Sequence, residues 1–184
     1  MSDDILLPGG GYKKLKSYQK SLIVFDGTAC FVRRFLQPGD RTVDQMVQAA
    51  RSTKQNIVEG SMAAATSKET EIKLTGVARA SLEELLEDYQ DYLRIHNLPQ
   101  WEKDSTPALA VRNLAYSENE SYETYRPYLE SRSDGTCANI MICLIHQCGY
   151  LLRLQLTKLT KEFPKTGGIR ERMAKSRMEH RNKK

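Results

Sequence analysis

At 184 residues, 40% hydrophobic and 28% charged, the chain is long enough to close one sizeable core and too apolar to be a disordered polyelectrolyte. Its formal net charge of +5 is unevenly placed: Gly167 to Lys184 hold seven Lys/Arg against two acids, while the remaining residues balance at 21 of each. No uninterrupted apolar run reaches the roughly 18–20 residues of a membrane span, and MSDDILLPGGGYKK lacks a basic start followed by an apolar core. A cytoplasmic protein without a membrane partner is expected.

Residues 1–11 end in Pro8-Gly9-Gly10-Gly11 and read as a flexible lead. A first helix is predicted over Lys13–Leu36, with Leu15, Tyr18, Leu22, Phe25, Ala29, Val32 and Phe35 on one stripe and Lys13, Lys14, Lys16 and Lys20 exposed at its start. Gly27 inside it costs up to ~1 kcal/mol against alanine, which close approach of a neighbouring helix would explain. Pro38-Gly39 ends the helix, and Asp40 or Thr42 caps the next.

In the second helix Val43, Met46/Val47, Ala50 and Ile57 share a face, with Thr53/Lys54 as a polar interruption. Gly60 suits a helix stop there, since glycine takes positive φ without Cβ strain. Asn56 and Glu59 form either a polar knot at a helix end or an ordinary last turn. Ser67 reads as the N-cap of a third helix, with Glu69 and Glu71 in its positive first turn. Leu74, Ala78, Leu82, Leu85, Tyr89 and Tyr92/Leu93 make its apolar stripe, and Glu83, Glu84, Glu87, Asp88 and Asp91 its wet side. The two helices form an antiparallel hairpin.

His96-Asn97-Leu98-Pro99 stops the third helix. The segment from Leu98 to Asp134 contains the only Trp, Trp101, together with Tyr116, Tyr122, Tyr125 and Tyr128. Two short helices are predicted, over Pro107–Ala115 and Glu118–Arg132, with Pro127 bending the second. Arg112, Tyr125, Arg126 and Tyr128 have the composition of a base-stacking surface. The plainer expectation is that the tyrosines pack this insertion onto the other helices.

The last helix is predicted over Thr136–Phe163. Its first half is apolar nearly all round, so it needs cover on more than one side, from the insertion or from another subunit. We read this as an argument for self-association. Pro164 and Gly167-Gly168 then release a basic tail, 166–184. The fold class is thus all-α, an antiparallel up-down four-helix bundle over 12–165 with a helical insertion at 98–134.

Chemistry is sparse. His96, His146 and His180 lack a nucleophile context, and no HExxH, Walker loop or GxGxxG occurs. The cysteines Cys30, Cys137, Cys143 and Cys148 form no CxxC pair and are expected as reduced thiols. Cys143 and Cys148 stand about 140° apart around a helix, too far round to share an ion without help. No catalytic residue, metal or cofactor is expected.

The strings Gln48-Ala49-Ala50-Arg51-Ser52, Asn56-Ile57-Val58-Glu59-Gly60 and Ala78-Arg79-Ala80-Ser81-Leu82-Glu83-Glu84-Leu85 resemble the bacterial four-helix-bundle family of 23S rRNA intervening-sequence proteins. The accessory variability determinant of diversity-generating retroelements is similar to that family. The resemblance covers Tyr12 to Leu93 and resumes at the last helix. Gln48 stands where the family often has arginine, and the insertion is absent from short members. The resemblance implies a non-enzymatic bundle assembled as a homopentameric ring, with Asn56, Glu59, Gly60 and Ser81 as a structural motif. It also implies a basic surface for nucleic acid, and it admits a reverse transcriptase as partner.

Three sets of cations fit an RNA or DNA partner. The tail supplies Arg170, Arg172, Lys175, Arg177 and Arg181, the start supplies Lys13, Lys14 and Lys16, and the hairpin supplies Arg41, Arg51 and Lys54. For the hairpin residues, plain solubility explains exposed cations equally well.

Overall fold

Two side-chain caps set the frame that the sequence leads one to expect. Asp40 Oδ1 accepts from the Thr42 N–H at 2.8 Å, and Ser67 Oγ accepts from the Thr70 N–H at 3.1 Å. In this computed structural model the described residues are 10–166 together with 173, 174, 177, 178, 180 and 181. After a 3₁₀ turn at Tyr12–Lys14 the helices are α1 (Lys16–Phe35), α2 (Arg41–Ala63), α3 (Lys68–Ile95), α4 (Thr106–Leu114), α5 (Tyr122–Ser131) and α6 (Asp134–Thr166). The described residues contain no strand, so the fold is all-α.

Each of the four long helices packs on two others: α1 on α2 and α6, α3 on α2 and α6. Side chains meet across the middle. The Phe31 ring lies 4.9 Å from Tyr89 and 5.0 Å from Tyr92, centroid to centroid and edge-on. The buried Tyr89 hydroxyl, which burial holds well above its ordinary pKa, donates to Thr28 Oγ1 at 3.2 Å.

Three contacts fix which ends coincide. The Gly10 N–H reaches the Ser61 carbonyl at 3.1 Å, the Ser17 hydroxyl reaches Gln155 Oε1 at 2.6 Å, and the Tyr92 hydroxyl reaches Asp134 Oδ2 at 3.1 Å. The start of α1, the end of α2 and the last third of α6 therefore share one end. The end of α3 and the start of α6 share the other.

α3 stops as expected, in a form only the backbone reveals. Asn97 takes φ 54°, and the Leu98 N–H returns to the Leu93 carbonyl at 2.8 Å. That is a Schellman ending with Asn in place of glycine. From there the chain is pinned by Asn139 on α6. Its Oδ1 accepts from the Trp101 N–H at 2.7 Å, and its Nδ2 donates to the carbonyls of Pro99 at 3.0 Å and Gly135 at 2.8 Å. Arg34 does the same service for α5, donating to the Leu129 carbonyl and, at 3.1 Å, to that of Arg132, where a cation suits a helix C-terminus.

Several expectations are corrected. Gly60 does not stop α2, which runs on to Ala63. A Cβ there would stand 3.4 Å from both the Glu71 carbonyl oxygen and Leu74 Cβ, so its role is close approach of α3. Thr53 is no interruption: it is fully buried, its hydroxyl donating to the Ala49 carbonyl at 3.0 Å. α5 begins at Tyr122 rather than Glu118, and α6 passes through Pro164 to Thr166. Lys20 is not exposed but 4% accessible.

The apolar first half of α6 is covered from within the chain. α4 and α5 pack on it, and from Cys137 to Ile145 only Cys143 is even half-exposed. The argument for self-association from that helix therefore falls. By length and composition α6 matches a membrane span, contrary to the expectation, but just over half of that stretch is buried against its neighbours, as in a core helix.

Gly27 does mark a close approach. A Cβ there would stand 2.6 Å from Met141 Sδ and 3.4 Å from Leu129 Cδ1. Gly27→Val is expected to destabilise the fold by about 1–3 kcal/mol in urea titration, through overpacking. Gly27→Ala should lie near zero, because the flexible Met141 can yield and alanine returns about 1 kcal/mol of helix propensity.

Candidate functional site

The cations picked from the sequence do not form one patch. Lys13 and Lys14 in the 3₁₀ turn and Lys16 opening α1 are exposed, and they enter no ion pair among the described residues. They stand at the end where α6 runs out toward the tail. Arg177 and Arg181 are helical and exposed, while Arg170, Arg172 and Lys175 lie outside the described residues. Arg41 opens α2 at the opposite end, roughly 33 Å from Ala63 at 1.5 Å per residue. Arg51 is exposed midway between them. Lys54 is half-buried, its ammonium 4.1 Å from the centroid of the Phe25 ring, so part of its cationic face is already used.

The family-like motif residues separate into two kinds. Asn56 Nδ2 donates to the Ser52 carbonyl at 2.8 Å and to Ser52 Oγ at 3.1 Å, and the buried Ser81 hydroxyl donates to Ser52 Oγ at 3.0 Å. This is a polar tie between α2 and α3. Glu59 is exposed and Gly60 is the close approach described above. Beside this tie runs an acidic groove of about 590 Å³, lined by Asp44, Glu84 and Asp88 among others. Burial, then repulsion from Asp91 and Glu84, pushes the Asp88 carboxyl above its usual range.

A larger groove, about 1250 Å³, opens between the insertion and the α1–α6 face. Trp101 and Tyr116 come to it from the insertion, and Tyr150 from α6. Tyr116 is 86% accessible and Tyr150 52%. Lys16, Lys103 and Arg112 edge it. On its floor Lys20 pairs with Glu120 and donates to Gln147 Oε1 at 2.7 Å. The same Glu120 oxygen accepts from the Tyr125 hydroxyl, and the Tyr125 ring sits 5.7 Å from the ammonium. Burial pulls the Lys20 pKa down, and Glu120 partly restores it.

The expectation that the insertion's tyrosines serve packing holds for the fully buried Tyr125 but not for Tyr116 and Tyr128, which are exposed, and the groove itself was not foreseen. Its aromatic walls come from positions 101, 116 and 150, too far apart for any periodicity to connect.

The Cys148 thiol is pushed up to about 12 and the half-buried Cys143 thiol is also raised, both by burial, so neither is primed as a nucleophile. Among the described residues no three His, Cys, Asp or Glu side chains stand close enough to hold a metal ion. No protein-family model, no curated protein and no solved structure matches the chain.

Proposed function

We propose that this is a non-enzymatic protein, an up-down four-helix bundle of α1, α2, α3 and α6, that holds RNA or DNA by charge. The observation that carries the reading is the coincidence of ends. Lys13, Lys14 and Lys16 lie where α6 passes toward a tail of seven cations in eighteen residues. In this reading the three lysines and the basic stretch that follows α6 in sequence act together as one basic pole, able to neutralise successive phosphates. Arg41 and Arg51 lie away from that pole and serve solubility.

The acting form in this reading is a homo-oligomer. The resemblance supplies the number five, and Val77 on α3 and Leu154 on α6, both about half accessible, are among the exposed apolar side chains available to it. Repetition of a basic pole around a ring raises a weak per-chain attraction to avidity. A second reading, an accessory subunit for a reverse transcriptase, is favoured by the acidic α2–α3 groove, which suits a basic protein surface and repels phosphate.

Mass-resolved chromatography of the full chain with and without RNA, repeated on a chain ending at Lys165, tests both parts. A pentamer that retains RNA, and a shortened chain that keeps the mass but loses most of the RNA, is the expected pair of results. A monomer that ignores RNA would end the proposal.

A further inference from the structure

Resting on that reading, we propose that the groove between the insertion and the α1–α6 face takes unpaired bases of a single strand, whose phosphates continue onto the basic pole. Trp101, Tyr116 and Tyr150 bring three aromatic rings to one groove, and two of them remain half or more exposed in a chain that buries Tyr89 and Tyr125 completely. The Tyr116 ring is left open, and the Tyr150 ring carries the Arg153 guanidinium 5.3 Å from its centroid, an aromatic and cationic surface of the kind that a stacking platform requires.

Charge decides between a base site and a phosphate channel. Four basic side chains line the groove, Lys16, Lys20, Lys103 and Arg112, against three carboxylates. Lys20 is spent on Glu120, and Arg112 lies 3.7 Å from Asp104. A nearly balanced wall does little to attract a polyanion, so stacking supplies the affinity here and the lysine pole supplies the attraction. Lys16 belongs to both surfaces, which makes them continuous. Duplex DNA or RNA presents no free base faces and would use the pole alone.

The chain carries its own reporter, since Trp101 is the only tryptophan. Oligo(dT) and oligo(U) should quench Trp101 fluorescence saturably, and a duplex of equal length should not. Tyr116→Ala, at a side chain too exposed to matter for folding, should weaken single-strand binding about tenfold and leave duplex binding unchanged. Tyr116→Phe should bind as the parent does, because a ring without its hydroxyl still stacks. The salt slope should be the same in parent and Tyr116→Ala, since no phosphate contact is lost. Salt-sensitive binding of oligo(dT) with either unaltered Trp101 emission or an unaffected Tyr116→Ala would overturn the groove assignment and leave the basic pole standing. Failure of every nucleic acid to bind would remove both.

Discussion

Lys13→Gln, Lys14→Gln and Lys16→Gln combined are expected to lower affinity for a single strand by about a hundredfold at about 0.1 M salt. Each phosphate neutralised on a single strand contributes about 0.7 to the log–log salt slope, so three lost contacts flatten it by about 2. At a tenth of molar salt each also represents about 0.7 of a decade in affinity, and three make roughly two decades. The variants leave the core alone, because all three side chains are exposed. Arg41→Gln, at the opposite end of α2, should change neither slope nor affinity appreciably. Equilibrium titration across a salt series reads both quantities. If Arg41→Gln costs as much as the lysines, the cations act as a diffuse coat and the pole is not a site.

The second large effect concerns stability. Glu120→Ala should destabilise the protein by on the order of 3 kcal/mol at neutral pH, because it strands a lysine that is 4% accessible. Lys20→Met should cost less, since Glu120 keeps an 18% accessible carboxylate that water can reach. Replacing both, Lys20→Met with Glu120→Gln, should recover most of the loss, as buried pairs exchanged for uncharged groups commonly do.

The pH dependence has a definite sign. The folded Lys20 pKa lies below its ordinary 10.5, so between the two values the unfolded chain holds a proton that the folded chain has released. This lysine's contribution to stability therefore rises with pH through that window. Removing Glu120 takes away the pull that opposes burial, which lowers the pKa further and extends the window downward. Urea titrations of Glu120→Ala at neutral and alkaline pH should show the variant recovering stability relative to the parent as pH rises. A loss that stayed constant with pH would mean that Glu120 acts through packing of α5 and not through charge.

The pair also explains where reading the sequence stopped short. Asp40, Ser67 and the Asn97 turn were legible because caps are local: a side chain and an amide two or three residues on. Gly60 was read as a stop by the same local logic, whereas its cause is the α3 backbone, which arrives from residues 71 to 75. Lys20 was set on the wet side because lysine usually is. Yet Ser17, Lys20, Val24, Thr28 and Phe31 follow one another at three- and four-residue steps, and all are buried. Strict attention to period over residue type would have found it.

The cover on α6 shows a different limit. Its apolar circumference was plain in the sequence, and the insertion was one of two covers it allowed. Choosing between them needed the Asn139 clamp on Pro99 and Trp101, which holds the start of the insertion to α6, and the Arg34 cap, which holds α5 to α1. The wide groove is the by-product of that docking, so nothing local could announce it. Arg41 and Arg51, by contrast, were readable as exposed but not as separated from the lysines, since helix direction assigns Arg41 to one end and Lys13 to the other.

The salt dependence of binding by the full chain tests the basic pole most directly. Affinity for oligo(U) measured at several salt concentrations should give a log–log slope of about −3 or steeper, as expected when the three N-terminal lysines and part of the tail meet phosphates. A slope near zero, or no binding at low ionic strength, would contradict it.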